Sequence, residues 1–159
     1  MKNLLVYRSK HGSVEEVMKY IQDNLPEKSQ NTLINLKKNK MPFKIEDSDN
    51  IIIGTSVYAG TIHSEVKNFI KDNYILLKDK NVYMIMSCGD KEKIPEVLDK
   101  NFGKQRDCID EVIYAGYAFK LEDMGFFEKT IIKKVAKIDK SENKLEMGAV
   151  NQLLDRLKL

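Results

Sequence analysis

The chain contains no tryptophan and only two cysteines, two histidines and three prolines in 159 residues. Cys88 and Cys108 are too few and too far apart for a disulfide framework. With only His11 and His63 to join them, a structural metal site is not expected. No apolar run approaches the roughly 20 residues that span a bilayer. The amino-terminal MKNLLVYRSKHG turns polar after four apolar residues, too few for a secretory core, so a cytoplasmic location is the expectation. Charge of one sign is also missing. The 27 Lys and Arg against 24 Asp and Glu leave a net +3, without the dense basic–aromatic pattern of a nucleic-acid binder. What remains is 42% hydrophobic and 32% charged, the profile of one globular domain over residues 1–159 with enough length for a real core.

The stretch that organises the chain is LLVYRSKHGSVEEVM. Leu4 to Tyr7 form a short apolar run suited to a buried parallel strand. A polar turn, Arg8 to Ser13, leads into an amphipathic helix from about Val14 to Leu25, ended by Pro26. Such a unit aims backbone N–H groups and the positive end of a helix dipole at one spot, which suits a phosphate. Ser9 and Ser13 add hydroxyls, Gly12 allows the tight turn, and Arg8, Lys10 or His11 add positive charge. By itself the segment reads equally well as an ordinary strand-to-helix turn.

Further along, Asn31 to Leu36 alternates like an edge strand with one wet face. The charged segment that follows, with Pro42, reads as a loop with one helical turn. Asn50 to Gly54 is a β-branched strand, and Ile62 to Leu77 carries apolar residues at helical spacing. Lys80 to Met86 is another buried strand, Pro95 opens a helix to Phe102, and Asp110 to Phe119 reads as a fifth strand. Two helices, Asp123 to Ile138 and Met147 to Leu157, close the chain. Five strands alternating with helices predict a doubly wound parallel sheet with helices on both faces. Ligands bind such folds beyond the carboxyl ends of the strands. Three polar loops, at 8–13, 55–61 and 87–93, should therefore converge on one crevice.

Residue chemistry narrows the choice. The acidic residues of a phospho-receiver, the Cys of a low-mass phosphatase loop, the G-x-S-x-G elbow and the glycine fingerprint of a dinucleotide turn are all missing. Thr55, Ser56, Val57, Tyr58, Ala59 and Gly60 offer backbone hydrogen bonds and a ring for stacking. Ser87, Cys88, Gly89 and Asp90 offer N–H groups for a polar ring edge. A phosphorylated flat group such as flavin mononucleotide (FMN) fits all three loops.

LVYRSKHGSVEEVM resembles the signature of the flavodoxins, IIIGTSVYAG their second flavin loop, and SCGD their third. The resemblance implies a five-stranded sheet of order 2-1-3-4-5 and FMN as cofactor. Ser9, Lys10, His11, Gly12, Ser13 and Val14 would then meet the phosphate, Tyr58 would flank the ring, and Gly89 and Asp90 would face its pyrimidine edge. A further likeness, in GTSVYAGTIHSEVKNFI and AGYAFKLEDMGFFEKTIIKKVAK, is to the flavodoxin-like menaquinone-dependent protoporphyrinogen oxidases. Two departures stand out: Val14 replaces a phosphate-binding threonine, and Met18 replaces a small residue.

Cys88 reads as a small buried side chain before a redox thiol, and His63 as a helix-start residue before a proton donor. In the helix at 123–138, Met124, Phe127, Ile131, Val135 and Ile138 form the stripe expected to pack on the sheet. Phe126 and Ile132 fall among Lys129, Lys133, Lys134 and Lys137, which leaves peripheral membrane contact open as the lesser reading. The leading function is an FMN-binding electron carrier acting between redox proteins. The alternatives are a flavin-dependent oxidase passing porphyrinogen electrons to a quinone, and a flavin-free interaction module.

Overall fold

The computed structural model describes residues 1–38, 44–136 and 140–158. Its sheet is built on β1 (Lys2–Arg8), β2 (Gln30–Asn35), β3 (Asn50–Tyr58), β5 (Asn81–Ser87) and β6 (Glu111–Tyr114), in spatial order β2-β1-β3-β5-β6. Every neighbouring pair on that path is parallel. Counted without the two-residue antiparallel β4 (Thr61–Ile62), which pairs with β3, this is the expected order 2-1-3-4-5.

Alternation along the strands divides the core into two faces. Leu4, Val6, Ile51, Ile53, Met84 and Met86 face one layer, covered by α2 (Ser64–Leu77) and α3 (Ile94–Phe102). Leu5, Tyr7, Ile52, Ile85 and Ile113 face the other, covered by α1 (Ser13–Asn24) and α5 (Gly148–Leu157). The run Ile51-Ile52-Ile53 is fully buried, because a central parallel strand has no wet face; each such side chain contributes about 1.5–3 kcal/mol.

The opposite, amino-terminal edge of the sheet carries a feature absent from the sequence expectations. Asn31, Asn3, Asn50 and Asn81 lie in register across β2, β1, β3 and β5. Their amides bond in series: Asn3 donates to Asn31 at 2.7 Å, Asn50 to Asn3 at 2.8 Å and Asn81 to Asn50 at 3.0 Å. Asn3 and Asn50 are only 2% and 3% exposed. Each satisfies the other's buried polar group, so the row pins four strands at one level.

Three expectations are corrected. Asp110 to Phe119 is not one strand: the chain leaves the sheet at Ala115, and β7 (Gly116–Phe119) pairs antiparallel with β8 (Glu142–Leu145). The helix expected at 123–138 is short, α4 (Phe126–Ile131), followed by a π turn at Ile132–Ala136. Ile62 belongs to β4, and the helix after it starts at Ser64. The loop before β3 does contain one helical turn, at Ile45–Asp47, while Pro42, Lys137 and Ile138, together with the Val135 side chain, lie outside the described residues. Among those described, no helix is long and apolar enough to cross a membrane.

Candidate functional site

All three loops open at the carboxyl edge of the sheet. In the first, Gly12 has φ of 88°, a left-handed conformation open to glycine at little strain. Its N–H donates to Ser9 Oγ at 3.0 Å, closing the turn, and α1 then begins without a side-chain cap. The positive end of α1 therefore faces the crevice uncapped. Lys10, His11 and Ser13 line the crevice. Val14 does not: its side chain is 1% exposed and sits in the core, which leaves only its backbone at the helix start. Arg8 turns back to Glu65, with Nε 2.9 Å from Oε1.

The second loop is a tight hairpin. Ala59 and Gly60 have φ of 49° and 72° and connect Tyr58 to its partner Thr61, as in a turn whose two central residues are both left-handed. Asn101 of α3 holds it from outside. Its side chain accepts from Ile62 N–H at 3.1 Å and donates to Gly60 O at 3.1 Å. Thr55 is fully buried, its hydroxyl turned to Ser56 O at 3.2 Å. Ser56, Val57, Tyr58, Ala59 and Gly60 line the crevice. Ser56 Oγ lies 3.0 Å from His63 Nε2. Burial, then the Arg8 charge, lower the His63 pKa, so the ring is neutral near pH 7.

In the third loop Ser87 is buried, and Cys88, Gly89 and Asp90 line the opening. Burial pushes the Cys88 thiol up to about 11, so it is no thiolate at neutral pH. Asp90 Oδ1 accepts from Glu92 N–H at 3.0 Å and caps the following turn. Among the described residues no cluster of His, Cys, Asp or Glu suits a metal ion.

The outer wall was not anticipated. It consists of Tyr117 and Phe119 from β7, Glu142 and Lys144 from β8, and Ile131 and Ile132. Gly116 makes the turn into this wall, with φ of 71° and a hypothetical Cβ only 2.1 Å from Lys144 O. Any side chain there would push β8 away. Gly116 O accepts from Cys88 N–H at 3.1 Å, tying the wall to the third loop. The expected packing stripe on α4 is wrong in part. Met124 and Ile132 are buried beside Tyr58, Tyr117 and Phe119, whereas Phe126 and Phe127 are 80% and 82% exposed.

A cleft of about 540 Å³ and an inner recess of about 40 Å³ share the walls at Val57, Tyr58, Cys88, Tyr117 and Phe119; the cleft is of a size suited to a small organic cofactor, and the phosphate loop lines the recess. The phosphate-loop end carries the Lys10 ammonium, and the flanks are aromatic. Lys10 Nζ sits 5.3 Å from the Tyr58 ring centre and pairs with Glu128 of α4, whose other oxygen is 3.3 Å from His11 Nε2. Burial foremost, then Lys10, lower the His11 pKa. Among the described residues neither the buried His11 Nε2, whose 3.3 Å approach to Glu128 is not a hydrogen bond, nor the buried Tyr58 hydroxyl has a hydrogen-bond partner. Unmet polar atoms flanking a cationic loop and an aromatic slot fit a phosphorylated, polar-edged planar group.

A doubly wound α/β domain with a three-loop crevice at its carboxyl edge is the class so defined. A family model described as a flavodoxin domain matches residues 4–146, and the chain belongs to that family. Among solved structures, it resembles a flavodoxin from the domain Archaea at 17% identity, with 86% of this chain and 98% of that one covered and a TM-score of 0.57. It also resembles rubredoxin:oxygen oxidoreductase from Desulfovibrio gigas (14% identity, 98% and 36% covered, TM-score 0.57). The flavodiiron protein from Giardia intestinalis is similar as well (15% identity, 74% and 31% covered, TM-score 0.56). The chain spans about a third of the length of these last two proteins. No curated protein matches it by sequence.

Proposed function

We propose that the protein binds FMN and works as a flavodoxin-type electron carrier between redox partners. The observation that carries this reading is the meeting of the phosphate-type loop, whose His11 Nε2 makes no hydrogen bond among the described residues, and the aromatic slot at Tyr58 in one recess. Bound FMN would supply a ring that takes up and releases one or two electrons. Lys10, His11, Ser13 and the start of α1 would hold its phosphate, with the backbone at Val14 replacing the missing threonine hydroxyl. Tyr58 would flank the ring, and the N–H groups near Gly89 and Asp90 would meet its polar edge. Tyr117 and Phe119 would keep water from the other side.

A second reading, an FMN-dependent oxidase of the protoporphyrinogen type that delivers electrons to a quinone, is favoured by the exposed pair Phe126 and Phe127 next to Lys129. Such a pair can rest on a membrane surface where apolar substrates reside. Turnover of a porphyrinogen with a quinone separates this enzyme from a carrier. The visible spectrum of protein purified without added cofactor tests both. Flavin bands support them, and their absence even after incubation with FMN supports a flavin-free interaction module.

A further inference from the structure

The phosphate loop already holds an anion. Glu128, from α4, places one carboxylate oxygen on Lys10 Nζ and the other 3.3 Å from His11 Nε2. These are two of the side chains that the phosphate reading assigns to the cofactor. The Glu128 side chain is 21% exposed and that of Lys10 41%, so the pair is open to solvent on its lysine side and screened in part by salt. No residue of α4 itself is buried, and its neighbours Phe126 and Phe127 stand in solvent. Glu128 is thus a main tie between α4 and the α/β body, together with the small apolar cluster of Leu121, Met124 and Ile132.

We infer that Glu128 is a resident anion of the phosphate loop and sets how strongly the site prefers a phosphorylated ligand over its unphosphorylated form. A phosphate and the carboxylate cannot share Lys10 and His11 without repelling each other. Entry of the phosphate is therefore an exchange: the phosphate oxygens take the Lys10 ammonium and the space beside His11 Nε2, the Glu128 carboxylate moves to water, and α4 loses its tie. A ligand with a hydroxyl in place of the phosphate leaves the pair intact. Glu128 accordingly weakens FMN without weakening riboflavin, and phosphate binding loosens α4. This rests on the phosphate-loop reading of residues 9–14.

The test compares the wild-type protein with Glu128→Gln. Dissociation constants for FMN and riboflavin are measured on each, and hydrogen exchange over residues 121–134 is followed with FMN, riboflavin or inorganic phosphate. The expected result is an FMN-over-riboflavin preference raised by at least about threefold in the variant. Exchange over α4 should increase with FMN and with phosphate but not with riboflavin, and only in the wild type. FMN binding with an unchanged preference and unchanged exchange overturns the exchange model. Absence of flavin binding with a phosphate response in α4 overturns the FMN reading and leaves the exchange standing. Absence of both overturns the two together.

Discussion

Gly54 lies directly beneath Met18: a Cβ built on the glycine would fall 2.7 Å from Met18 Cγ and Sδ, and 2.9 Å from Val14 Cγ1. The two residues at which α1 departs from the flavodoxin pattern are thus accommodated by one missing methyl group on β3. The larger Met18 fits because its partner has no side chain. Gly54→Ala should cost about 1–3 kcal/mol by overpacking, and adding Met18→Ala should recover part of that loss. Denaturant titration of the two variants measures both effects. A neutral Gly54→Ala would show that α1 is not seated as described.

The asparagine row makes a separate stability prediction. Asn50 is the middle link, donating to Asn3 and accepting from Asn81. Asn50→Ala leaves the buried Asn3 amide short of a partner and frees the exposed Asn81 amide to water, and should lower stability by about 1–3 kcal/mol. Because the row lies at the end of the sheet away from the cleft, ligand affinity should not change. Thermal unfolding and a binding titration on the same variant distinguish the two effects.

Ala59 holds a left-handed conformation, φ of 49°, beside Gly60 in the second loop. Asparagine tolerates that region better than alanine because its short polar side chain bonds locally. Ala59→Asn should raise stability by about 1 kcal/mol. A fall in the unfolding midpoint would mean that the alanine methyl makes a contact worth more than the strain.

His11 and His63 both have a pKa lowered from 6.5 in the folded protein, chiefly by burial. The unfolded chain then binds the protons more readily, so stability rises with pH wherever the two states differ in protonation. The ligand-free protein should lose stability as the pH falls through 6.5, and His63→Asn should flatten that slope. Denaturation midpoints at pH 7.5 and 5.5 report it. Equal slopes in the two proteins would remove His63 from the account.

The parallel core was legible because its signals are local. Apolar strands such as Ile51 to Ile53, polar turns at their ends and helices between them are each spelled out within a dozen residues. The outer wall was not, because its structure is decided at long range. Tyr117 and Phe119 continue the alternation of β6, but the left-handed Gly116 turns the chain out of the sheet to pair with β8. The segment Glu142 to Leu145 is too short and polar to announce β8. The helical spacing put Phe127 on a stripe with Met124, but Met124 and Gly125 are extended and α4 starts only at Phe126, so Met124 packs inward while Phe127 faces solvent. Lys10 and Glu128, 118 positions apart, left no sign of their pairing in the sequence.

Titrating FMN into the protein while following flavin fluorescence tests most directly whether the three loops form one flavin site. Saturable one-to-one binding with strong quenching, as the ring stacks at Tyr58, is the predicted result. An unquenched signal without saturation at millimolar FMN would contradict it and leave the cleft without its proposed ligand.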